Sequence, residues 1–192
     1  MKQNEYLNEL SQRLDRLKKR VESSFYYLDE EVLNYKPHEK SWSISQCIEH
    51  LNLTNESYLK QFKKIGEQAG SEVIDKPFYH SLKGRFFINS MAPKTGDRIK
   101  YKMPTAAQLR PLAEKQPGAK VLVRVVFEDF MRDIDDLKDQ LEHFKNIDIK
   151  KVKIKTLFGS MVKLSVGDAL GFIIAHMDRH ILQAEKVKQH SS

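Results

Sequence analysis

Two of the seven histidines in this chain are spaced so that both could bind one metal ion. His176 and His180 lie four residues apart in a stretch with helical periodicity, so both imidazoles project from one face, about one turn apart. At about 100° per residue they fall at the edge of the apolar stripe, where another helix would pack. His50 lies at the edge of the stripe of a second helical stretch. Surface histidines and hydrogen-bonded core histidines also show such spacing, so both interpretations stay open.

If the three imidazoles share one ion, the chemistry they allow is catalytic rather than structural. A divalent ion with three protein ligands keeps a position for water or substrate, whereas a structural ion is normally enclosed by four ligands. The single cysteine, Cys47, excludes an intramolecular disulfide and every cysteine-rich zinc site. Any metal must therefore be held by histidine, aspartate or glutamate. Cys47 lies within an apolar stripe and is predicted to be a small core residue.

The neighbours of these histidines do not identify a general base. Glu49 and Asp178 lie close to them in sequence, but consecutive helical positions diverge by about 100°, so neither should face the ion. We expect both to be surface charges or groups that orient an imidazole from outside. Trp42 is predicted to pack against Cys47 as a hydrophobic staple, with stacking on a ligand as the alternative. His143, among charged neighbours, is predicted to lie on the surface.

Four amphipathic stretches must position these residues. Apolar side chains recur at three- and four-residue steps in each, which predicts helices over residues 4–33, 43–66, 122–144 and 165–184. Ser43 with Gln46, and Ser165 with Asp168, are typical of helix starts. A chain of 192 residues normally forms one core, and these stripes can be hidden only against one another. We therefore expect one all-α domain over residues 1–192, a four-helix bundle.

The connection between the second and third helices is strongly basic. Residues 76–124 hold eleven Lys or Arg, two acidic residues and five of the six prolines, which predicts a loop-rich segment without a long helix. Their net charge of +9 exceeds the +7 of the whole chain, so the remainder is slightly acidic. Such a segment suits an anionic small molecule or a thiolate, and equally a solubilising surface. The candidates for binding an anion are Lys83, Arg85, Arg98 and Lys102.

The overall charge does not by itself indicate a nucleic-acid partner. The sequence pI near 9.3 invites that interpretation, but no helix carries clustered arginines and no aromatic residues alternate with basic ones, so we expect no nucleic-acid binding. Mean hydropathy is -0.57, and no run approaches the roughly 18 apolar residues of a membrane span, so we expect no membrane contact. The polar N-terminus, MKQNEYLNELSQRL, is unlike a signal peptide and predicts a cytoplasmic protein.

Two segments resemble signatures of the DinB-like superfamily. Residues 41–51, SWSISQCIEHL, resemble its "WSi…HL" signature, and residues 176–183, HMDRHILQ, resemble its "H…H..Q" signature on the last helix. Residues 94–111 and 163–168 are more loosely similar to its proline-bearing mid-chain loop and to the polar entry of its last helix. The resemblance covers nearly the whole chain.

The resemblance implies a four-helix bundle with a divalent metal ion, commonly zinc or nickel. Carried over to this sequence, the ligands are His50, His176 and His180, all present with the expected spacing. Such proteins are described as metal-dependent hydrolases, and the family includes transferases that use bacillithiol or mycothiol. We therefore expect a hydrolase that activates water for a small-molecule substrate, or alternatively a thiol S-transferase that uses a low-molecular-weight thiol. A non-enzymatic stress-response or binding module is the third alternative, and the resemblance also implies a homodimer.

Overall fold

The architecture is almost entirely helical. The computed structural model describes residues 1–93, 105–116 and 122–191. Within them the helices are α1 Gln3–Phe25, α2 Glu30–Asn34, α3 Ile44–Gly66, α4 Leu82–Met91, α5 Leu112–Lys115, α6 Val123–His143 and α7 Val166–His190. Strands β1 Lys153–Thr156 and β2 Gly159–Ser165 form an antiparallel hairpin. In the described ranges, no helix is long and apolar enough to cross a membrane.

The four longest helices pack as a bundle. α1 and α3 each pack against both α6 and α7, so α1 lies diagonally across from α3. The faces that meet carry the apolar stripes, and Leu7 and Leu14 of α1 and Ile134 and Leu137 of α6 are all buried. The prediction of an all-α four-helix bundle is confirmed.

The helix starts predicted for α3 and α7 are also confirmed. Ser43 Oγ accepts the N–H of Gln46 at 3.2 Å, and the Gln46 side chain accepts the N–H of Ser43 at 3.1 Å, which completes a capping box before α3. Ser165 Oγ accepts the N–H of Asp168 at 3.1 Å before α7. Both histidine-bearing helices therefore begin where local sequence signals place them.

The prediction for the first helix is wrong at the C-terminal end of that helix. Instead of continuing over residues 4–33, α1 ends at Phe25 and the short helix α2 follows. Asp29 has extended backbone, with φ -65° and ψ 150°, at the N-cap position of α2, where aspartate is favoured. The break lets Leu33 become buried while α2 packs on α3. Leu28 fits the periodicity of α1, so spacing alone does not reveal the break.

The basic connection contains a ten-residue helix, α4, that packs against α7. The composition of residues 76–124 does not predict this helix. Ser81 begins it by accepting the N–H of Gly84 at 2.9 Å, while the Ser81 hydroxyl donates to Asp168 Oδ2 at 2.7 Å. His80 Nδ1 donates to Asp168 Oδ1 at 2.9 Å. A buried carboxylate of α7 thus fastens the start of α4.

Gly84 leaves no room for a side chain at this contact. A β-carbon there would lie 2.1 Å from Asp168 Oδ1, and the carboxylate is fixed by its bonds to α4. We expect Gly84→Ala to lower the free energy of unfolding by about 2–3 kcal/mol, although alanine favours helix, because the carboxylate must leave its partners. Urea unfolding measures this. Gly70→Ala is the matched control, since a β-carbon there meets no atom within 4 Å, and equal stability of the two variants would contradict the prediction.

A carboxyl group is buried between α3 and α6. Asp133 is 8 % exposed, and its Oδ2 accepts a hydrogen bond from Asn55 Nδ2 at 3.3 Å. Burial raises the pKa of Asp133 from 3.8 to about 6. Between about pH 4 and pH 6, the folded protein therefore holds a proton on Asp133 that the unfolded chain has already released. The stability linked to this proton is fully present below about pH 4 and is lost as the pH rises through about 6.

Asp133→Asn removes the buried charge while keeping the shape of the side chain. We expect the variant to exceed the native protein in unfolding free energy by about 2 kcal/mol at pH 7.5, because an ionised Asp133 is poorly solvated. The difference should shrink towards zero at pH 4, where the native carboxyl is neutral. Urea unfolding at both pH values measures it, with Asp139→Asn, an exposed residue of the same helix, as the control. A native protein as stable as the variant at pH 7.5 would refute the assignment.

Candidate metal centre

Helix packing brings three histidines to one point. His50 projects from α3, and His176 and His180 project from α7, one turn apart. One ring nitrogen of each lies within 4.8 Å of one ring nitrogen of the others, and all three side chains are buried. The ring centroids are 4.5 to 5.0 Å apart. The juxtaposition expected from the two stripe edges is therefore present in the structure.

Hydrogen bonds to groups outside the histidine cluster fix the orientation of two of the three rings. His50 Nδ1 lies 2.8 Å from the carbonyl oxygen of Leu109, which can only accept, so Nδ1 carries the proton. His180 Nδ1 lies 3.1 Å from Gln183 Oε1 and donates to it in the same way. In the neutral form of each ring, Nε2 then keeps its lone pair. These second partners orient the imidazoles as the outer groups of metal sites do.

The third ring tests whether a cation fits the cluster. His176 Nδ1 is buried without a hydrogen-bond partner, and its Nε2 lies 3.1 Å from His50 Nε2. Two facing nitrogens at this distance need a proton or a cation between their lone pairs. Burial lowers the pKa of all three rings, and of His176 and His180 most strongly. The imidazoles are therefore neutral and can offer a nitrogen lone pair to a metal ion. A buried set of neutral imidazoles fits a divalent ion such as zinc or nickel.

Two aromatic side chains that line the neighbouring cavity contact the imidazoles. The ring of Trp42 is 4.9 Å from that of His50 and 5.7 Å from that of His180, measured between centroids. Phe172 is stacked on His176 at 6.0 Å with an interplanar angle of 19°. These contacts with the candidate metal ligands test neither role predicted for Trp42, which were packing against Cys47 and stacking on a bound molecule.

Residues 105–116 form a strap across the candidate site, and three hydrogen bonds attach it. One is the bond from His50 to the Leu109 carbonyl oxygen. The N–H of Leu112 donates to Glu49 Oε1 at 2.9 Å, and Trp42 Nε1 donates to Glu114 Oε1 at 2.5 Å. The strap thus supplies the outer partner of one imidazole.

The other residues considered near the ligands have structural roles. Asp178 points away from the cluster and pairs with Arg13 at 2.7 Å and Arg20 at 3.6 Å, which confirms a surface charge. Glu49 attaches the strap and is half-buried. Cys47 is fully buried, and burial raises the pKa of its thiol, so it is the core residue that was expected. His143 is exposed, as predicted.

The histidine cluster opens into a cavity of about 770 Å³. This volume is within the range of about 300–1,000 Å³ found for small-molecule sites. Of the residues predicted to bind an anion, Lys83 and Arg85 are exposed on α4 and do not line this cavity, and Arg98 and Lys102 lie outside the described residues. The cations among the described lining residues are instead Lys40, Arg110, Arg179 and Lys186.

Sequence reasoning could have found two of these cations. Arg179 and Lys186 belong to the face of α7 that carries His176, His180 and Gln183, because all of these follow the three- and four-residue steps of a helix. Lys40 and Arg110 lie in connecting segments, where no periodicity indicates direction.

Comparison with known protein families gives the same assignment as the two histidine segments. A family model of the DinB superfamily matches residues 9–184. The chain belongs to the DinB superfamily. Comparison with curated proteins and with solved structures found no significant match. The match to the DinB superfamily spans all three histidines, so the family assignment and the possible metal site concern the same part of the fold.

Removing two of the three imidazoles should abolish metal binding. After incubation with zinc or nickel and desalting, we expect about one ion per native chain, and less than a tenth of that in the double variant His176→Ala, His180→Ala, because one imidazole cannot retain the ion. Elemental analysis measures the content, and circular dichroism verifies that the variant is folded. His143→Ala, which removes an exposed histidine, should keep the native content. Equal metal content in native protein and double variant would exclude the site.

Proposed function

We propose that this DinB superfamily protein is a metal-dependent hydrolase of a small molecule, with His50, His176 and His180 as the metal ligands. The observation that supports the proposal is the position of three neutral, buried imidazoles where a cavity of about 770 Å³ reaches the bundle core. When bound, a divalent ion with three protein ligands supplies Lewis-acid chemistry, which makes water acidic enough to act as a nucleophile near neutral pH. Hydrolysis then breaks one bond of the substrate. One water molecule supplies hydroxide to one product and a proton to the other.

The chain's own residues prepare the site for that chemistry. The Leu109 carbonyl oxygen and Gln183 Oε1 keep the protons of His50 and His180 on Nδ1, so both Nε2 atoms stay available. Trp42 and the strap restrict access of bulk water to the rings. Because less water in the cavity means weaker dielectric screening, every electrostatic interaction between substrate and protein there becomes stronger.

Thiol S-transfer is the second candidate, and one feature of the cavity favours it. Glu114 is the carboxylate that lines the described part of the cavity, and it accepts the N–H of Trp42. A general base for water is therefore not evident among those residues. A thiol, with an ordinary pKa near 8.5, needs less help than water to ionise. The cavity volume would also admit a thiol together with an electrophile.

One assay separates the candidate functions. We expect the zinc- or nickel-loaded protein to hydrolyse 4-nitrophenyl acetate at least tenfold faster than the His176→Ala, His180→Ala variant. Added thiol should not change this rate. Absorbance of released 4-nitrophenolate measures this, and His143→Ala should retain the native rate. A parallel reaction uses 1-chloro-2,4-dinitrobenzene with bacillithiol, mycothiol, glutathione or cysteine.

The other outcomes have distinct meanings. Turnover of the aryl chloride that requires one thiol and the intact histidines would support the transferase and contradict the hydrolase. Metal binding without either activity would favour the non-enzymatic binding module. The homodimer implied by the family resemblance stays a prediction, which light scattering of the purified protein checks.

A further inference from the structure

The cavity beside the histidines has one wall that is apolar. Met91 at the end of α4, Leu157 and Phe158 in the turn of the hairpin, and Phe172 of α7 line it. Phe158 is 39 % exposed, yet its ring is stacked on Phe87 at 5.0 Å and lies edge-on to Phe172 at 5.6 Å. Neighbouring rings therefore hold this apolar surface in place. It is suited to an aryl or alkyl group of a ligand.

A second part of the lining is cationic. Lys40 precedes Trp42 by two residues, and Arg110 directly follows Leu109, so both cations come from segments that contact the candidate ligands. Arg179 of α7 is only 6 % exposed and contributes a further positive charge to the wall.

In the described lining, the two cations Lys40 and Arg110 outnumber the one carboxylate. Glu114 is the carboxylate there, and Trp42 Nε1 donates to it. A cleft with an excess of one charge and low-dielectric walls concentrates ligands of the opposite charge. The cavity therefore favours an anion, and the apolar wall favours an anion with an apolar body.

We propose that the cavity binds an amphipathic organic anion, whose carboxylate or phosphate pairs with Lys40 and Arg110 and whose apolar body lies on Phe158 and Phe172. The reacting group of this ligand would lie beside the histidines, and that element alone rests on the proposed function. The proposal rests on cations of the described lining and not on Lys83 or Arg85, which do not line the cavity. It names the substrate class as aryl or alkyl acids rather than neutral esters or sugars.

Trp42 is the one tryptophan of the chain and lines the cavity, so its fluorescence reports binding at this site. The probes are 4-phenylbutyrate and the matched neutral 4-phenylbutan-1-ol, titrated into protein as purified and into protein dialysed against EDTA. We expect the carboxylate to bind about tenfold more tightly than the alcohol in both samples, because two cations pair with it. Its affinity should fall with added salt, while that of the alcohol should not.

Variants identify the residues responsible. Lys40→Gln with Arg110→Gln should reduce the affinity for 4-phenylbutyrate about tenfold and leave that for the alcohol unchanged. Lys40→Gln alone keeps Arg110 in the strap and should give about a threefold loss. Lys83→Gln with Arg85→Gln removes two exposed cations outside the lining and should change neither affinity. Phe158→Ala should weaken both probes by the same factor.

Three kinds of result would overturn the proposal. One is equal affinity for the two probes. Another is unchanged carboxylate binding in the Lys40, Arg110 double variant, or an equal loss in the Lys83, Arg85 control. The third is carboxylate binding that disappears after EDTA, which would indicate ligation to the metal. If anion binding persists in protein without metal and no metal-dependent hydrolysis is found, this inference stands and the hydrolase proposal fails. If thiol-independent hydrolysis is found and the cavity shows no preference for the anion, the hydrolase proposal stands and this inference fails.

Discussion

The contact between α3 and α7 is the constraint on which the rest of this structure depends. It places His50 against two histidines that lie more than a hundred residues later, and it does so inside the bundle, away from water. Burying three imidazoles is unfavourable unless each polar nitrogen finds a partner. Two of the rings have an outer oxygen acceptor, and Nε2 of His50 faces Nε2 of His176, whose Nδ1 has no hydrogen-bond partner. That arrangement is stable and chemically sensible around a cation.

The segments around the bundle supply the surroundings of the histidine cluster that α3 and α7 bring together. The strap of residues 105–116 contributes the Leu109 carbonyl oxygen to His50, and Glu49 and Glu114 attach the strap to the bundle. On the other side, α4 and the hairpin turn extend the cavity with apolar side chains. The candidate metal ligands, the groups that orient them and the apolar wall of the cavity therefore come from different parts of the chain. A change in the strap would affect both the ligands and the cavity.

Electrostatics in this protein act at two levels. Within the cluster, burial keeps the imidazoles neutral and able to bind a cation. In the cavity above it, lysine and arginine side chains of the lining support the proposed binding of an anion. The candidate metal site and the proposed anion site thus share one opening. This combination suits hydrolysis of an acid-bearing substrate and also transfer from an anionic thiol.

Much of this architecture could be read from local sequence. The apolar stripes of α3, α6 and α7, the capping residues Ser43 and Ser165, and the four-residue spacing of His176 and His180 are all set by neighbours along the chain. The prediction failed at the end of α1, because Leu28 continues the stripe while Asp29 begins a new helix. It also missed α4, which depends on a long-range bond to Asp168.

What the sequence by itself determined is therefore the helices, their buried faces and the histidines that share an edge. Only the tertiary structure decided that Trp42 lies over the ligands, that a backbone carbonyl orients His50, and which cations line the cavity. The physical reason is that helical periodicity fixes direction between residues a few positions apart. A backbone carbonyl has no residue-specific signature, and a lysine or arginine in a connecting segment has no preferred direction until the chain packs.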